Sequence, residues 1–179
     1  QVDTFSENAL GILCSNQGVT PDTIRMLTEA GVSVNTLSGM GTTAMINLCM
    51  NRTVTPETIQ AMIDGGADTT IGSRETGLTA LIALCRNPSV TPETIFTLAS
   101  TGLDVNQRPE AEDDTEVGWA DDAMWVLCRN TNVNQELIRA LLDIGVDPSN
   151  AIAGATEYTR SLRARDHIVQ MIREAMEPR

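Results

Sequence analysis

The groups in this chain with intrinsic reactivity are four cysteines, Cys14, Cys49, Cys85 and Cys128, and one histidine, His167. A thiolate beside a base would be a nucleophile, and several thiolates converging on one point would hold a soft metal ion. The spacing argues against both. The cysteines stand 35, 36 and 43 residues apart, each in a similar phrase, so they occupy equivalent places on successive units, whose packed helices run about 8–10 Å apart. A disulfide needs Cα atoms within about 7 Å, and a zinc site needs converging ligands. Small buried thiols in a reducing compartment fit better. His167 adjoins Asp166 with no Ser or Cys in an activating context nearby, and is expected at a helix start or cap. No glycine-rich phosphate loop is present, since Gly11, Gly39 and Gly41 are scattered among turns. The chain is therefore expected not to be an enzyme, with no catalytic residue, metal or cofactor of its own.

The elements that position these groups follow from the phrases themselves. They are Cys14-Ser-Asn-Gln-Gly-Val-Thr-Pro-Asp-Thr-Ile24, Cys49-Met-Asn-Arg-Thr-Val-Thr-Pro-Glu-Thr-Ile59, Cys85-Arg-Asn-Pro-Ser-Val-Thr-Pro-Glu-Thr-Ile95 and Cys128-Arg-Asn-Thr-Asn-Val-Asn-Gln-Glu-Leu-Ile138. An apolar stretch such as Thr43-Ala-Met-Ile-Asn-Leu-Cys49 or Thr79-Ala-Leu-Ile-Ala-Leu-Cys85 predicts a short helix before the cysteine. Asn16, Asn51, Asn87 or Asn130 follows, and because asparagine tolerates left-handed backbone the helix is expected to close there. A second helix is expected to open at Thr20-Pro21, Thr55-Pro56 and Thr91-Pro92. Threonine caps a helix start, and proline suits the first position, whose N–H would be unpaired anyway. An acid in the first turn then meets the positive end of the helix dipole. Eleven residues after each capping Thr or Asn stands Gly31, Gly66, Gly102 or Gly145, placed to end that helix. Ile59, Met62 and Ile63, like Ile138, Leu141 and Leu142, fall at i, i+3, i+4, so one stripe is buried.

Composition agrees with a helical core and bounds the partners. Of 179 residues 41% are hydrophobic and 3% aromatic, namely Trp119, Trp125, Tyr158, Phe5 and Phe96, so Leu, Ile, Val, Met and Ala must fill the interior. The net charge of −12 argues against nucleic acid as a partner, because that affinity comes from neutralising phosphates. No apolar run approaches the roughly 20 residues of a membrane span. All 12 basic residues are arginine. A codon bias explains that, and so does a protein acting inside a eukaryotic cell that has shed ubiquitin-accepting amines. The chain starts at Gln1 with no leader, and is expected to be a piece of something larger.

After the glycines come Gly31-Val-Ser-Val-Asn, Gly66-Ala-Asp-Thr, Gly102-Leu-Asp-Val-Asn and Gly145-Val-Asp-Pro-Ser-Asn, leading into Gly41-Thr-Thr-Ala-Met or Gly77-Leu-Thr-Ala-Leu. This pattern resembles the ankyrin repeat, with its Gly-Ala-Asp-Val-Asn turn and Gly-x-Thr-Pro-Leu-His opening. The Gly66 to Thr79 connection is too long for tetratricopeptide units, whose signature is absent. The resemblance implies an all-α solenoid, a single domain with repeats at about 5–37, 38–71, 72–107 and 118–150, a degenerate capping repeat over 151–179, and an acidic insertion at 108–117. In the cap, Thr156 to Ala164 is read as a first helix and Ile168-Val-Gln-Met-Ile172 as part of a second, with Arg160, Arg163, Arg165 and Arg173 supplying a polar outer face. The family proline is replaced by Ala9, Ala44, Ala80 and Ala123, and its histidine by Gly11, Ile46, Ile82 and Trp125. Apolar packing is expected to replace the histidine's hydrogen bonds, with Trp125 in the core. The inter-helix loop is about two residues longer than a 33-residue unit implies, which is expected to loosen the stacking.

The unequal spacing is the informative irregularity. From Gly31 to Cys49 there are 18 positions and from Gly66 to Cys85 there are 19, against 26 from Gly102 to Cys128. The stretch from Arg108 to Asp122 holds seven carboxylates and Trp119. It reads equally as a tolerated solvated loop or as a device for capturing a basic partner. The family binds through its finger tips and the exposed side of the first helices, which implies Met40, Thr42 and Met50 in the second repeat, Glu75, Thr76, Leu78 and Arg86 in the third, and Trp119, Asp121 and Arg129 in the fourth, with Glu112, Asp113 and Asp114 in the insertion. Met40, Met50, Leu78 and Trp119 are then expected to face solvent as an apolar patch.

The resemblance thus implies a protein-recognition module, monomeric, with a protein partner and no nucleic acid or membrane. The missing lysine, reduced thiols and apparent truncation further resemble the C-terminal ankyrin domains of bacterial secreted effectors of the OspC and CopC ADP-riboxanase type. That similarity implies a catalytic domain upstream, a host caspase as partner and the host cytosol as location. The alternative is an intramolecular scaffold packed against its own upstream domain.

Overall fold

The computed structural model describes residues 9–39, 41–73, 76–107, 122–158 and 162–177. Among them the chain forms helices and no strand, in the order α1 (Ala9–Ser15), α2 (Pro21–Glu29), α3 (Ala44–Met50), α4 (Pro56–Asp64), α5 (Ala80–Arg86), α6 (Pro92–Ala99), α7 (Ala123–Cys128), α8 (Gln135–Asp143), α9 (Ser149–Tyr158) and α10 (Leu162–Met176). The odd helices α1, α3, α5, α7 and α9 pack side by side as one layer, and the even helices form a second. One continuous apolar core lies between the layers, built from Leu10, Ile46, Ile82 and Leu127 of the first and Ile24, Ile59, Ile95 and Ile138 of the second.

The even helices start as their Thr-Pro signal requires. Thr20, Thr55 and Thr91 are extended N-caps with proline in the first turn. Each accepts the N–H of a second threonine three residues on, Thr23, Thr58 or Thr94, whose hydroxyl oxygen accepts the cap residue's own N–H. Such a cap stabilises a helix by about 1 kcal/mol. Helix α4 ends with Gly66 at φ 89°, a left-handed closure that a side chain would strain, and Ala67 N–H reaches back to Met62 C=O at 3.0 Å. The same backward bond recurs from Val32 to Leu27 and from Val146 to Leu141. One position earlier, a Cβ on Gly65 would meet Thr28 Cγ2 at 2.7 Å, so the missing side chain lets α2 and α4 approach.

The asparagines do different work from that expected. Asn51 and Asn87 have φ −75° and −73° with extended ψ, so neither is left-handed. Their side chains instead tie each unit to the one before. Asn51 Nδ2 donates to Cys14 O and Asn16 O, both at 2.8 Å. Asn87 Nδ2 donates to Cys49 O at 2.8 Å and Asn51 O at 2.7 Å. Asn130 Nδ2 donates to Cys85 O and Asn87 O, both at 2.9 Å. Each Oδ1 accepts an N–H two residues on, from Thr53, Ser89 or Asn132. The long inter-helix loop is thereby braced, contrary to the loosened stacking expected of it. A second set of rungs joins the turns: Asn35 bonds Gly66 O and Asp68 N, and Asn106 bonds Gly145 O and Asp147 N. Thr70 fills that place in between, and there Thr69 and Thr101 share a hydroxyl bond of 2.7 Å.

Two corrections fall at the C-terminal end. The first helix there is Ser149–Tyr158 rather than Thr156 to Ala164. Asp147-Pro148 starts it, with Asp147 Oδ1 accepting the Ser149 N–H. His167 lies exposed inside α10, several residues past its start, and is not a cap. The side chains of Arg160, Arg163 and Arg165 lie outside the described residues, and Arg173 is exposed.

Candidate recognition site

The four cysteines form a buried column along the odd helices, and all are free thiols. Burial pushes the Cys14 and Cys128 thiols up to about 12, and Asp122 adds to the effect at Cys128. Cys49 and Cys85 are pushed up by burial first and by neighbouring members of the column second. Thiols so placed stay protonated at neutral pH and make poor nucleophiles or metal ligands. Cys14 Sγ rests against Met62 Sδ at 3.9 Å. Among the described residues no group of three or more His, Cys, Asp or Glu is placed to hold a metal ion, and no helix is long and apolar enough to cross a membrane.

What the odd helices turn outward is the residue after each cysteine. Ser15, Met50, Arg86 and Arg129 are all exposed, at the same register on four stacked helices. Met50 is 55% exposed, large for an apolar side chain, as expected of it. Arg86 and Arg129 line a cleft of about 300 Å³ with Val126 and Asn130. The Arg129 guanidinium lies over the Trp125 ring, 5.8 Å from its centroid, within reach of a cation–π contact. Trp125 itself is only half-buried, whereas Ile46 and Ile82 at the same register are fully buried. It packs on the core with one face and carries Arg129 on the ring, and no spacing rule signals that pairing.

The finger turns divide. Thr42 is partly buried and engaged in its own turn, bonding Ser38 Oγ at 2.9 Å while its carbonyl accepts the Ser38 N–H. Thr76 is exposed, and its hydroxyl accepts the Leu78 N–H at 3.3 Å. Leu78 departs from expectation: it is 8% exposed and joins the core. The turn from Ser73 closes on itself, with Ser73 N–H on Leu78 O and Gly77 N–H on Ser73 O, and this folds Leu78 inward just before the cap of α5. Met40, Glu75, Glu112, Asp113, Asp114, Trp119 and Asp121 lie outside the described residues.

Helix pairs stacked in two layers, the first four each closed by a glycine turn and joined in series by asparagine rungs, make this an ankyrin-repeat fold. The human ASB11 ankyrin repeat domain superposes on it with a TM-score of 0.67, covering 96% of this chain and 70% of that one at 14% sequence identity. The ankyrin repeat domain of Bcl-3, a unique member of the IkappaB protein family, matches over 97% of this chain and 88% of its own, at 14% identity and a TM-score of 0.40. No protein-family model and no curated protein matches the sequence.

Proposed function

We propose that the chain is a protein-recognition module that binds through the outward face of its odd helices. The observation that carries this reading is the exposed column Ser15, Met50, Arg86 and Arg129, held at one register by a bonded stack and set beside a cleft. A rigid extended platform suits the wrapping of a folded partner. The reading also assigns partner contacts to Met40, Thr42, Glu75, Thr76 and the acidic stretch with Trp119 and Asp121, in an array of four units and a terminal cap. Leu78 supports the turn from inside. Affinity capture at low and high salt, comparing the native chain with Met50→Ala and Trp119→Ala, tests the reading. Trp119→Ala is expected to weaken binding by about 2 kcal/mol. A partner retained equally by both variants would remove this face from the site.

The more specific form of the proposal is the recruiting domain of a secreted bacterial effector, delivering a host protein such as a caspase to an upstream catalytic domain. The absence of lysine among the 12 basic residues supports it. Capture from eukaryotic cytosol, followed by identification of the retained protein, decides it.

A further inference from the structure

We propose that the face of α1 and α2 turned away from α3 and α4 is a stacking surface, and that it receives a further helix pair of the same kind, carried by the same polypeptide ahead of Gln1. This face is separate from the outward face of the odd helices and does not depend on the recognition reading above. Asn51, Asn87 and Asn130 each commit Oδ1 to an N–H two residues on and turn Nδ2 back to two carbonyls of the preceding unit. Asn16 is set in the same way. Its N–H bonds Leu13 O, as the Asn51 N–H bonds Leu48 O, and its Oδ1 accepts the Gly18 N–H at 2.9 Å. Nδ2 is thereby turned toward the place of a preceding unit, yet among the described residues it meets no acceptor in the chain. Asn16 is exposed, whereas Asn51 and Asn87 are buried.

Two apolar side chains stand on the same face. Ile12 holds the register of Asn47, Ala83 and Val126, two residues before each cysteine. Asn47 Nδ2 reaches back to Gly11 O at 3.4 Å, and Ala83 and Val126 are buried, so this register faces the preceding unit. Met26 holds the register of Ala61 and Ala140, six residues after the helix cap, and both of those are buried. One turn past Ala61, Gly65 approaches Thr28 of α2 so closely that a Cβ would clash. Ile12 and Met26 are instead 54% and 68% exposed. A terminal unit normally carries a polar outer face, as α10 does with exposed Gln170, Arg173 and Glu174. The α1–α2 face is apolar and holds an unpaired donor, as an inner unit would.

The occupant follows from what the face lacks. Asn16 needs two carbonyls at positions i and i+2, placed as Cys49 O and Asn51 O are for Asn87, and the end of a helix leaves carbonyls unpaired in that way. A second copy meeting this chain through the same face would set the donors of Asn16 against each other. A separate protein would give up translational and rotational freedom that one unit-sized face, with two hydrogen bonds and two apolar side chains, is too small to repay. A helix pair on the same polypeptide gives up only loop closure.

The test follows hydrogen exchange of the Asn16 side-chain amide in three chains: the 179 residues, the polypeptide carrying one unit's length of the sequence encoded ahead of Gln1, and a chain in which a copy of residues 43–79 replaces residues 1–8. The copy sets Thr79 before Ala9 as it stands before Ala80, and offers Cys49 O and Asn51 O to Asn16 as they are offered to Asn87. Exchange is expected to be unprotected in the first chain and slower by about tenfold or more in the other two. Met26→Glu and Asn16→Ala should each leave the unfolding equilibrium of the first chain within about twofold, and shift that of the longer chains toward unfolding by about tenfold. Slow exchange already in the 179-residue chain overturns the proposal, by making its own residues the cover. Slowing by the copied unit but not by the encoded extension overturns the occupant, and slowing by neither overturns the face. Slowing that rises with the concentration of the first chain and is lost in Met26→Glu makes a second copy the occupant, and overturns the proposal too.

Discussion

The third and fourth units use the same frame to hold different first helices. In the third, Thr79 caps α5, Ile82 is buried and Asn87 anchors the following loop. In the fourth, Asp122 caps α7, Trp125 replaces the isoleucine, and Asn130 makes the corresponding bonds to the previous unit. The cap of the second helix changes as well. Thr91 and Thr94 exchange bonds before α6, whereas Asn134 caps α8 alone and its third residue, Leu137, goes into the core. Hydrogen bonds between units are thus kept while the bonds within a unit are varied. A stack tolerates a changed helix as long as its neighbours still find their rungs.

The thiol column runs through both units, which makes it the most sensitive probe of that shared frame. In the unfolded chain a thiol ionises near 9.0, whereas Cys14 and Cys128 in the fold hold their protons to about 12. Between those values the unfolded state binds fewer protons, so stability is complete below about pH 8 and falls as the pH rises. Each such thiol should cost about 1.4 kcal/mol by pH 10. With no lysine and one tyrosine in the chain, few other groups titrate in that window. The unfolding free energy from urea denaturation under reducing conditions should be several kcal/mol lower at pH 10 than at pH 7.5, and Cys85→Ala and Cys128→Ala should each recover about one thiol's share of the loss. A recovery at Cys85 alone would mean that the fourth unit opens independently.

The rungs give the next largest effect. Asn87→Ala removes both donors from buried Cys49 O and Asn51 O and should destabilise the chain by about 3 kcal/mol. Asn130 is half-exposed, so water can reach the carbonyls it leaves, and Asn130→Ala should cost about 2 kcal/mol. Chemical denaturation measures both. A larger loss at Asn130 would mean that the carbonyls it leaves are shut off from water as fully as those under Asn87.

How far these features could be read from residues alone depends on the range of the interaction. Thr55-Pro56 and Gly66 act within one helix, and their chemistry is local enough for spacing to reveal. Asn51 acts across more than thirty residues, on Cys14 O and Asn16 O. Judged by its own backbone preference it resembles a helix terminator, and only the regular offset from cysteine signals a repeated partner. The exposure expected of Leu78 comes from the family's finger, whereas the direction of the chain here is set by a turn closing from Ser73. The arginine cleft needed the stack itself: Arg86 and Arg129 are 43 positions apart and meet only because α5 and α7 are neighbours.

The smallest effect sharpens the comparison most directly. Asp122 Oδ1 accepts the Trp125 N–H at 2.7 Å, as Thr79 Oγ1 accepts the Ile82 N–H, but Oδ2 is buried without a hydrogen-bond partner. A carboxylate in that place keeps the cap while stranding a second acceptor away from water, which threonine does not. Asp122→Thr should therefore stabilise the chain by about 1 kcal/mol and ease the upward push on the Cys128 and Cys85 thiols, visible as a flatter alkaline limb. If the urea midpoint falls instead, the second oxygen is stabilising the start of α7, and the aspartate is a structural requirement of the fourth unit rather than a cost that it carries.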